Sequence, residues 1–395
     1  MIQKFICYTS MFSTGERFPV LLHVDSYQPA ILATRYIIDQ RRENKQLGTL
    51  LRDIRVLKWF YEWCYSNNIE LENILQKGGN LSVGEITRFC RYLRAGRNNT
   101  VIGSTGEIKH VSILSPTSFN SYISVVENFL IWSSYEYMHG FVSDEIKETV
   151  EISKERIQKI FRSNRIGGRN PENRYGLSKE EIIKIRKAIT PKAKLNPYKQ
   201  AVQFRNYVII ELFLATGIRR GELLKLKLND LPQGPKTTLS IEKISDDPLD
   251  SRRIEPQVKT RGREIPIPKV LAKDLWTYVQ KYRKRGNHRY LFTSHRKGVP
   301  LDLGAINWIF EILVKRSFPE LKGRLHPHIL RHTFNDQLLE KAIELKWGDE
   351  QRRKVQIYLN GWSDNSTMPE IYTRRITEGL AMKLMEQYQA DLYKE

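Results

Sequence analysis

The sequence contains little cysteine. Its 395 residues include only Cys7, Cys64 and Cys90, which are scattered along the chain and lack CxxC spacing. Three scattered cysteines argue against a disulfide framework and against a cysteine-ligated zinc site. They are typical of a reducing compartment, so we expect a cytoplasmic protein.

Long apolar runs are missing as well. The sequence has no stretch of about 18 apolar residues, the length that a helix needs to cross a bilayer. It also has no lysine-rich block beside an apolar stretch. The first 15 residues are interrupted by Gln3, Lys4 and several hydroxyl side chains, which makes a poor signal peptide. We therefore expect no membrane partner.

Acidic residues are too few to balance the basic ones. Lysine and arginine number 65 against 44 aspartate and glutamate, which leaves a net charge of +21. An excess of this size favours a polyanionic partner, with nucleic acid as the first choice. The length predicts two or three domains, each large enough to have its own core.

The amino-terminal part has a helical pattern. Residues 1–30 form an extension with one strand-like run at 18–24, and apolar residues then recur at three- and four-residue steps from 31 to 162. The positions that predict the core of a helical bundle include Leu50, Ile54, Leu57, Phe60, Phe119, Ile123, Val126 and Phe129. Several basic side chains of this part are candidate contacts to DNA phosphates: Arg91, Arg94, Arg97 and Lys109.

An inter-domain linker is expected at 163–176. This stretch has no apolar period, carries two glycines and a proline, and is rich in arginine. Its charge predicts that it lies along a phosphate backbone, with Arg165, Arg169 and Arg174 as candidate contacts.

Helices around a small sheet are predicted beyond the linker. Ser178 and Glu181 form a capping box at a helix start. The apolar run 207–215 predicts a buried helix, and 218–226 predicts a second helix with Arg219 in its first turn.

The strands of this second part are short. A strand is expected at 238–241, followed by an irregular stretch at 245–256. Residues 257–260 and 263–267 then alternate on either side of Arg261-Gly262, which predicts a hairpin.

A histidine and an arginine stand close together in the segment His326–Phe334. Pro327 suits a helix start, and His328 and Arg331 are three residues apart, so their side chains share one helical face. An imidazole exchanges protons near neutral pH, and a guanidinium binds phosphate oxygens in a fixed fork. A buried histidine beside a solvated arginine would give the same four residues.

Three further motifs accompany this pair. Arg219 follows Thr216-Gly217, Lys259 stands beside the predicted hairpin turn, and Gly361-Trp362 precedes Tyr372. Along the chain these motifs follow one another as Arg219, Lys259, the His328 and Arg331 pair, Gly361-Trp362 and Tyr372. In this order the motifs, from about 177 to 372, closely resemble those of the tyrosine recombinase (phage integrase) family. The amino-terminal part resembles the family only as a helical, basic DNA-binding domain.

The resemblance implies a mainly α, two-domain fold. A helical bundle of the SAM-like core-binding type would precede an α+β catalytic domain at 177–375 with a small antiparallel sheet. The implied activity is site-specific DNA recombination through a 3′-phosphotyrosyl bond, which needs neither metal nor nucleotide cofactor. The sequence has no Walker loop and no carboxylate cluster suited to two Mg²⁺ ions, so we expect no cofactor.

The resemblance also implies which residues move protons and make bonds. Tyr372 would attack the phosphodiester, His328 would help to remove its proton, and Lys259 would protonate the leaving 5′-oxygen. Lys243 is an alternative general acid, and Tyr358 is a competing nucleophile that precedes the Gly-Trp pair.

Other residues would stabilise charge. Arg219 and Arg331 would hold the non-bridging oxygens, and Trp362 stands where many family members carry a histidine, although it could simply be a core residue. Glu222 could orient Arg219 or be an ordinary helical carboxylate. His326 and His332 are predicted to be structural.

The sequence departs from the family pattern at two places. The spacing from Trp362 to Tyr372 is one residue longer than usual, with Pro369 between them, and the irregular stretch 245–256 lengthens the approach to the hairpin.

The last segment, 376–395, suggests a partner. Ile376, Leu380, Leu384, Tyr388 and Leu392 step by four and predict an apolar stripe on a helix. This stripe could pack on its own domain or dock into a neighbouring protomer. The family resemblance implies a tetramer on double-stranded DNA that is a monomer or dimer when free, with accessory DNA-bending proteins as further partners.

Two other functions fit the same residues. One keeps the chemistry but changes the outcome, as in a hairpin telomere resolvase or a type IB topoisomerase. The other is a DNA-binding regulator that no longer cuts, which would have no chemical need for the complete set of catalytic residues.

Overall fold

The computed structural model describes residues 4–43, 45–76, 79–95, 114–136, 143–168, 175–233 and 237–393. Within these ranges, no helix is both long and apolar enough to span a bilayer. The chain forms two compact units, one from residues 1–12 and 17–171 and the other from 13–16 and 172–395. The predicted linker boundaries remain a prediction, because 169–174 lie outside the described residues.

The first unit opens with a β-hairpin. Strand β1 (Phe5–Met11) pairs antiparallel with β2 (Arg17–His23), and Phe5 faces His23 across the ladder. The strand predicted near 18–24 is confirmed, but its partner was not foreseen. Strand β1 does not alternate apolar and polar residues, so its sequence carries no strand period.

In the described ranges of this unit, six helices follow the hairpin: α1 (Ile31–Arg42), α2 (Leu47–Ser66), α3 (Leu71–Gln76), α4 (Val83–Arg94), α5 (Pro116–Glu136) and α6 (Asp144–Asn164). The predicted core positions of α2 and α5 are buried. Phe60 of α2 packs edge-on against Phe89 of α4, with ring centroids 5.0 Å apart. Such aromatic contacts add to the burial that stabilises the bundle, and the predicted helical bundle is confirmed.

The described residues of the second unit form eight helices and two strands: α7 (Lys179–Ile189), α8 (Gln200–Thr216), α9 (Arg220–Lys225), β3 (Thr238–Ile241), β4 (Arg263–Pro266), α10 (Lys269–Thr277), α11 (Leu303–Ser317), α12 (Pro327–Glu344), α13 (Asp349–Asn360) and α14 (Met368–Leu392). Short 3-10 turns lie at Leu228–Asp230 and Pro319–Leu321, and a π turn at Tyr278–Tyr282. The mainly α fold with a small antiparallel sheet is confirmed.

The hairpin prediction was wrong about which strands pair. Strand β4 pairs with β3, Thr238 facing Pro266, and residues 257–260 form no strand. The backbone near the predicted turn is bound elsewhere, because the N–H of Arg261 donates to the carbonyl of Gly361 at 3.1 Å. The connection between β3 and β4 is therefore a long loop, 242–262.

Helix α8 is the centre of the second unit. Its second half, 208–216, is apolar except for Glu211 and Thr216 and is largely buried, and the helix packs against α12. It ends at Gly217, whose φ of 58° is left-handed. A Cβ there would lie 2.4 Å from the ring of Phe334 on α12, so both the turn and the close approach require glycine.

The helices that follow α11 begin and end at recognisable signals. His326 caps α12, since its side chain accepts a hydrogen bond from the N–H of Ile329 at 3.3 Å. Pro369 lies in the first turn of α14 and starts the helix. Helix α14 runs without a break across the expected division at residue 376.

Candidate active site

The turn after α8 positions Arg219. The sequence predicted Arg219 in the first turn of a helix, but Arg219 is the N-cap residue of α9. The helix begins later than predicted because Gly217 and Ile218 form the chain reversal between α8 and α9. Its backbone N–H donates to a carboxylate oxygen of Glu222 at 2.6 Å. This contact fixes the direction in which the Arg219 side chain leaves the helix start.

Two guanidiniums converge on one carbonyl oxygen. Arg219 Nη1 and Arg331 Nη2 each donate to the carbonyl of Asn360 at 3.3 Å, and Arg331 Nη1 donates to the carbonyl of Gly217 at 2.6 Å. Asn360 is the last residue of α13, where unpaired helical carbonyls carry partial negative charge. A guanidinium has five N–H donors, so each arginine keeps donors for an anion after these bonds.

The carbonyl of Asn360 is itself held in place. The side chains of Asn335 and Asn360 exchange hydrogen bonds at 3.0 and 2.6 Å, and the side-chain amide of Asn360 also donates to the carbonyl of Gln356 at 2.9 Å. Both asparagines are fully buried. Helices α12 and α13 are thereby joined beside the arginine pair.

Glu222 binds a third arginine more directly than it binds the side chain of Arg219. Arg263 Nη1 donates to Glu222 Oε1 at 2.9 Å, and the hydroxyl of Thr260 donates to the same carboxylate oxygen. The distance from Arg219 Nη1 to that oxygen is 3.9 Å. Glu222 therefore orients Arg219 mainly through its backbone N–H and ties the loop 242–262 to α9 through Thr260.

Positive charge is in surplus at this site. Burial favours the neutral acid of Glu222, but hydrogen bonds from Arg263 outweigh it and lower the pKa of Glu222. Burial, followed by repulsion from Arg219, lowers the pKa of Arg331 to about 9. Three guanidiniums (Arg219, Arg263 and Arg331) thus share one buried carboxylate, and an incoming anion would be stabilised here.

Tyr372 lies inside this cluster. Its side chain is 0% exposed, and its ring stacks on Trp362 at a centroid distance of 5.9 Å. The guanidinium of Arg331 lies 5.5 Å from the Trp362 ring, so the indole contacts both groups. Burial raises the pKa of Tyr372 to about 12 despite the nearby charges of Arg331 and Arg375, so the phenol is protonated at neutral pH.

The phenol hydroxyl has a partner that the sequence reasoning did not assign to it. Nδ1 of His332 lies 2.9 Å from the hydroxyl oxygen of Tyr372, and Nη1 of Arg375 lies 3.3 Å from the same nitrogen. Two local spacings carry a signal for these residues: His332 is four residues after His328, and Arg375 is three after Tyr372, so each pair shares a helical face.

The other two histidines of α12 lie differently. His328 is exposed, and its ring is 4.5 Å from that of His332 in an edge-to-face arrangement. His326 caps the helix, in agreement with the structural role expected of it. Of the two histidines predicted to be structural, only His332 contacts the tyrosine.

The competing residues are also located. Lys259 and its alternative Lys243 are both exposed on the loop 242–262. Tyr358, the competing nucleophile, is 54% exposed and donates its hydroxyl to the carbonyl of Glu264 at 3.2 Å. Tyr372 and not Tyr358 therefore lies beside the arginine pair.

The irregular stretch 245–256 is held by buried charges. Arg252 makes a charged pair with Asp250 at 2.7 Å, and Lys225 of α9 forms an ion pair with Glu255. All four residues are buried. The stretch 245–256 is thus fixed to α9, whose N-cap residue is Arg219, and it leads directly to Lys259.

The candidate DNA contacts are distributed over the first unit and the linker. Arg91 and Arg94 are exposed in the last turn of α4. Arg165 is paired with Glu127 at 2.7 Å. The remaining candidates lie outside the described residues: Arg97, Lys109, Arg169 and Arg174. In the described part of the chain, no group of three or more His, Cys, Asp or Glu side chains is placed to hold a metal ion.

Comparisons with known proteins agree on one family. Residues 177–378 match the family model described as the phage integrase family. Tyrosine recombinase XerC of Bacillus pumilus is 30% identical over 191 residues, which cover 47% of this chain and 54% of that protein. The chain spans about half the length of the curated relatives it matches.

Two solved structures share the fold. The XerH site-specific recombinase bound to its difH substrate has a TM-score of 0.53 and 17% identity, over 88% of this chain and 82% of that one. The Tn1549 transposon integrase in complex with transposon right end DNA has a TM-score of 0.52 and 16% identity, over 89% and 98%. At such identities the similarity concerns the fold alone.

The Glu222 network generates a stability prediction. We expect Glu222→Gln to lower the free energy of unfolding by about 3 kcal/mol at pH 7, because Arg263 is left buried without its carboxylate. The pKa of Glu222 is lowered in the fold, so its contribution is complete above the unfolded pKa of about 4.3 and is lost as pH falls through the folded pKa. Urea unfolding at several pH values measures both effects.

The control for this substitution is Glu264→Gln, an exposed glutamate one residue after Arg263. It should change stability by less than about 0.5 kcal/mol. Equal losses for the two variants, or a Glu222 effect that does not shrink below pH 4, would contradict the network.

Proposed function

Because the chain belongs to the phage integrase (tyrosine recombinase) family, whose model matches about half of it, we propose that it is a site-specific recombinase that cuts and rejoins duplex DNA. The observation that carries this proposal is the convergence of Arg219 and Arg331 on one oxygen next to the buried phenol of Tyr372. A nucleophile beside two clustered guanidiniums is suited to a phosphodiester, whose charge grows as it is attacked.

In the proposed reaction, the oxygen of Tyr372 attacks the scissile phosphorus. A bond forms between that oxygen and phosphorus, and the bond from phosphorus to the 5′-oxygen breaks. The product is a 3′-phosphotyrosyl bond and a free 5′-hydroxyl. Arg219 and Arg331 neutralise the non-bridging oxygens, and Trp362 can donate its indole N–H to one of them.

Two protons move in this step. The phenolic proton of Tyr372 must leave, because a phenol whose pKa is raised to about 12 is a weak nucleophile at pH 7. His328 is the candidate base. Lys259 is the candidate acid for the 5′-oxygen, supported by the anchoring of its neighbour Thr260 to Glu222. Rejoining is the same step reversed by the 5′-hydroxyl of a partner strand, so the bond energy is conserved without metal or nucleotide.

The proposed substrate is double-stranded DNA. The net charge of +21 supports a polyanionic partner, and the XerH and Tn1549 integrase structures are, by their own descriptions, complexes with DNA. Cys7, Cys64 and Cys90 carry free thiols, which supports the proposal that the enzyme works in the cytoplasm.

We propose that the carboxy-terminal helix joins protomers into a tetramer on DNA. Ile376 packs against the cluster of Trp362 and Tyr372, whereas Leu384, Tyr388 and Leu392 are more than half exposed; the side chain of Leu380 lies outside the described part. An apolar stripe with no cover along its distal part suits a groove on a second copy of the chain. Accessory DNA-bending proteins remain part of the proposal.

The first prediction of this function concerns the nucleophile. Incubation of the protein with a nicked suicide duplex carrying its recombination site should give a covalent protein–DNA adduct on a denaturing gel, because the cut strand diffuses away. Tyr372→Phe should abolish the adduct, since the phenolic oxygen is lost, while the matched variant Tyr358→Phe should retain it. If the wild-type protein forms no adduct, the proposed recombinase activity is contradicted and a DNA-binding regulator is the function that is left.

Native gel electrophoresis of the protease-treated products from intact sites separates the two outcomes of the chemistry. A four-armed intermediate with two intact sites supports recombination. Relaxed or hairpin products without that intermediate would favour the topoisomerase or the telomere resolvase.

The second prediction concerns the general acid. Lys259→Ala should slow adduct formation about 100-fold on ordinary DNA, because no proton reaches the leaving oxygen. The loss should largely disappear on DNA with sulfur at the 5′-bridging position, since a thiolate leaves without protonation. Lys243→Ala is the matched control and should behave as wild type. If only Lys243→Ala were slow on ordinary DNA and restored on the sulfur-substituted DNA, the general acid would be Lys243.

The third prediction concerns assembly. Leu384 and Met382 are each 67% exposed but point to opposite sides of α14. Leu384→Lys should weaken each protomer contact by about 2 kcal/mol, roughly thirtyfold in the association constant, whereas Met382→Lys should not. Sedimentation of the protein with a duplex recombination site measures the assembly, and equal assembly by both variants would rule out the stripe as the contact.

A further inference from the structure

The contacts at Nδ1 of His332 favour one tautomer of its ring. A guanidinium can only donate, so the contact of 3.3 Å between Arg375 Nη1 and His332 Nδ1 is a hydrogen bond only in the tautomer whose Nδ1 is an acceptor. In that tautomer the hydroxyl of Tyr372, 2.9 Å from the same nitrogen, is the donor. The ring is then neutral with its proton on Nε2, and it faces the protonated phenol of Tyr372.

The surroundings of His332 keep it neutral. The side chain is 5% exposed. Burial, followed by the charges of His328, Arg375, Arg331 and His326, lowers the pKa of His332 to about 3. Asp336, 4.0 Å from Arg375, is the acidic group on the same side of α12.

These contacts indicate that holding the phenolic oxygen of Tyr372 in place and removing its proton are done by different groups. An imidazole surrounded by arginines does not accept a proton for long, because the imidazolium would be repelled. It can still fix the phenolic oxygen, and reaction rates depend steeply on where that oxygen lies. The base that removes the proton must be another group, and His328 is the adjacent imidazole, 4.5 Å away from ring to ring.

We propose that His332 is a positioning residue: its Nδ1 accepts a hydrogen bond from Tyr372, and Arg375 holds that nitrogen in place as an acceptor. The proposal rests on the proposed function of Tyr372 as the nucleophile. It assigns the residue next to Arg331 a role distinct from that of His328. Trp362 supports the other side of the arrangement, because its ring stacks on that of Tyr372.

Two substitutions of His332 distinguish an acceptor from a space-filling side chain. Asparagine places its Oδ1 one bond beyond Cγ, where histidine has Nδ1, so His332→Asn keeps an acceptor. Leucine places a methyl group there, so His332→Leu keeps bulk and loses the acceptor. His295→Leu, on an exposed turn, is the control for removing a histidine.

The rate of adduct formation on the suicide duplex is the first readout, with DNA affinity and melting temperature measured alongside. We expect His332→Leu to be about 10- to 100-fold slower than wild type at unchanged DNA affinity, and His332→Asn to regain most of the rate. A fast His332→Leu would overturn the proposal. A His332→Asn variant as slow as His332→Leu would do so as well, because histidine would then be needed for proton transfer.

A second readout needs neither DNA nor activity. In the full-length wild-type protein labelled with ¹⁵N-histidine, the Nδ1 resonance of His332, identified by its loss in His332→Asn, should be that of an unprotonated nitrogen. It should not titrate between pH 5 and 8, and it should shift in Tyr372→Phe, which lacks the donor. A protonated Nδ1, or a resonance unchanged in Tyr372→Phe, would overturn the proposal. The spectrum tests His332 even if the wild-type protein forms no adduct, which would overturn only the proposed function.

Discussion

The carbonyl oxygen of Asn360 is the point on which the candidate site depends. It accepts hydrogen bonds from Arg219 and Arg331, which are 112 positions apart in the sequence and reach it from the start of α9 and from α12. Without a shared acceptor, the buried guanidinium of Arg331 and the half-buried guanidinium of Arg219 would repel each other. Because α13 ends at this carbonyl and the paired Asn335 and Asn360 side chains anchor it, the positive charges remain together before any anion arrives.

The rest of the second unit can be understood from this constraint. Gly217 allows α8 to end close to Phe334, which brings the turn before Arg219 next to α12. Glu222 and Arg263 connect α9 to β4 and to the loop that carries Lys259. Pro369 starts α14 so that Tyr372 stacks on Trp362.

Local patterns predicted much of this arrangement. The capping box at Ser178 and Glu181, the end of α8 near Gly217 and the helical bundle of the first unit all follow from signals within a few residues, and they were found where expected. The pairing of β3 with β4 was not predicted from the sequence, because it joins segments more than 20 residues apart. The Arg261-Gly262 turn gave a stronger local signal for a different hairpin. The role of the Asn360 carbonyl as an acceptor could not be predicted from the sequence, because every residue has a backbone carbonyl. His332 and Arg375 had only a helical spacing to mark them, and their relation to Tyr372 depends on how α12 and α14 pack.

The central claim is that Arg219 and Arg331 act on the charge of a phosphate, and a substrate with a neutral scissile group tests it most directly. Adduct formation by wild type and by Arg331→Ala would be compared on DNA with a phosphodiester and on DNA with a methylphosphonate, which lacks one charged non-bridging oxygen. If the guanidinium neutralises that oxygen, the substitution should slow the reaction strongly on the phosphodiester and much less on the methylphosphonate. An equal loss of rate on both substrates would contradict the account.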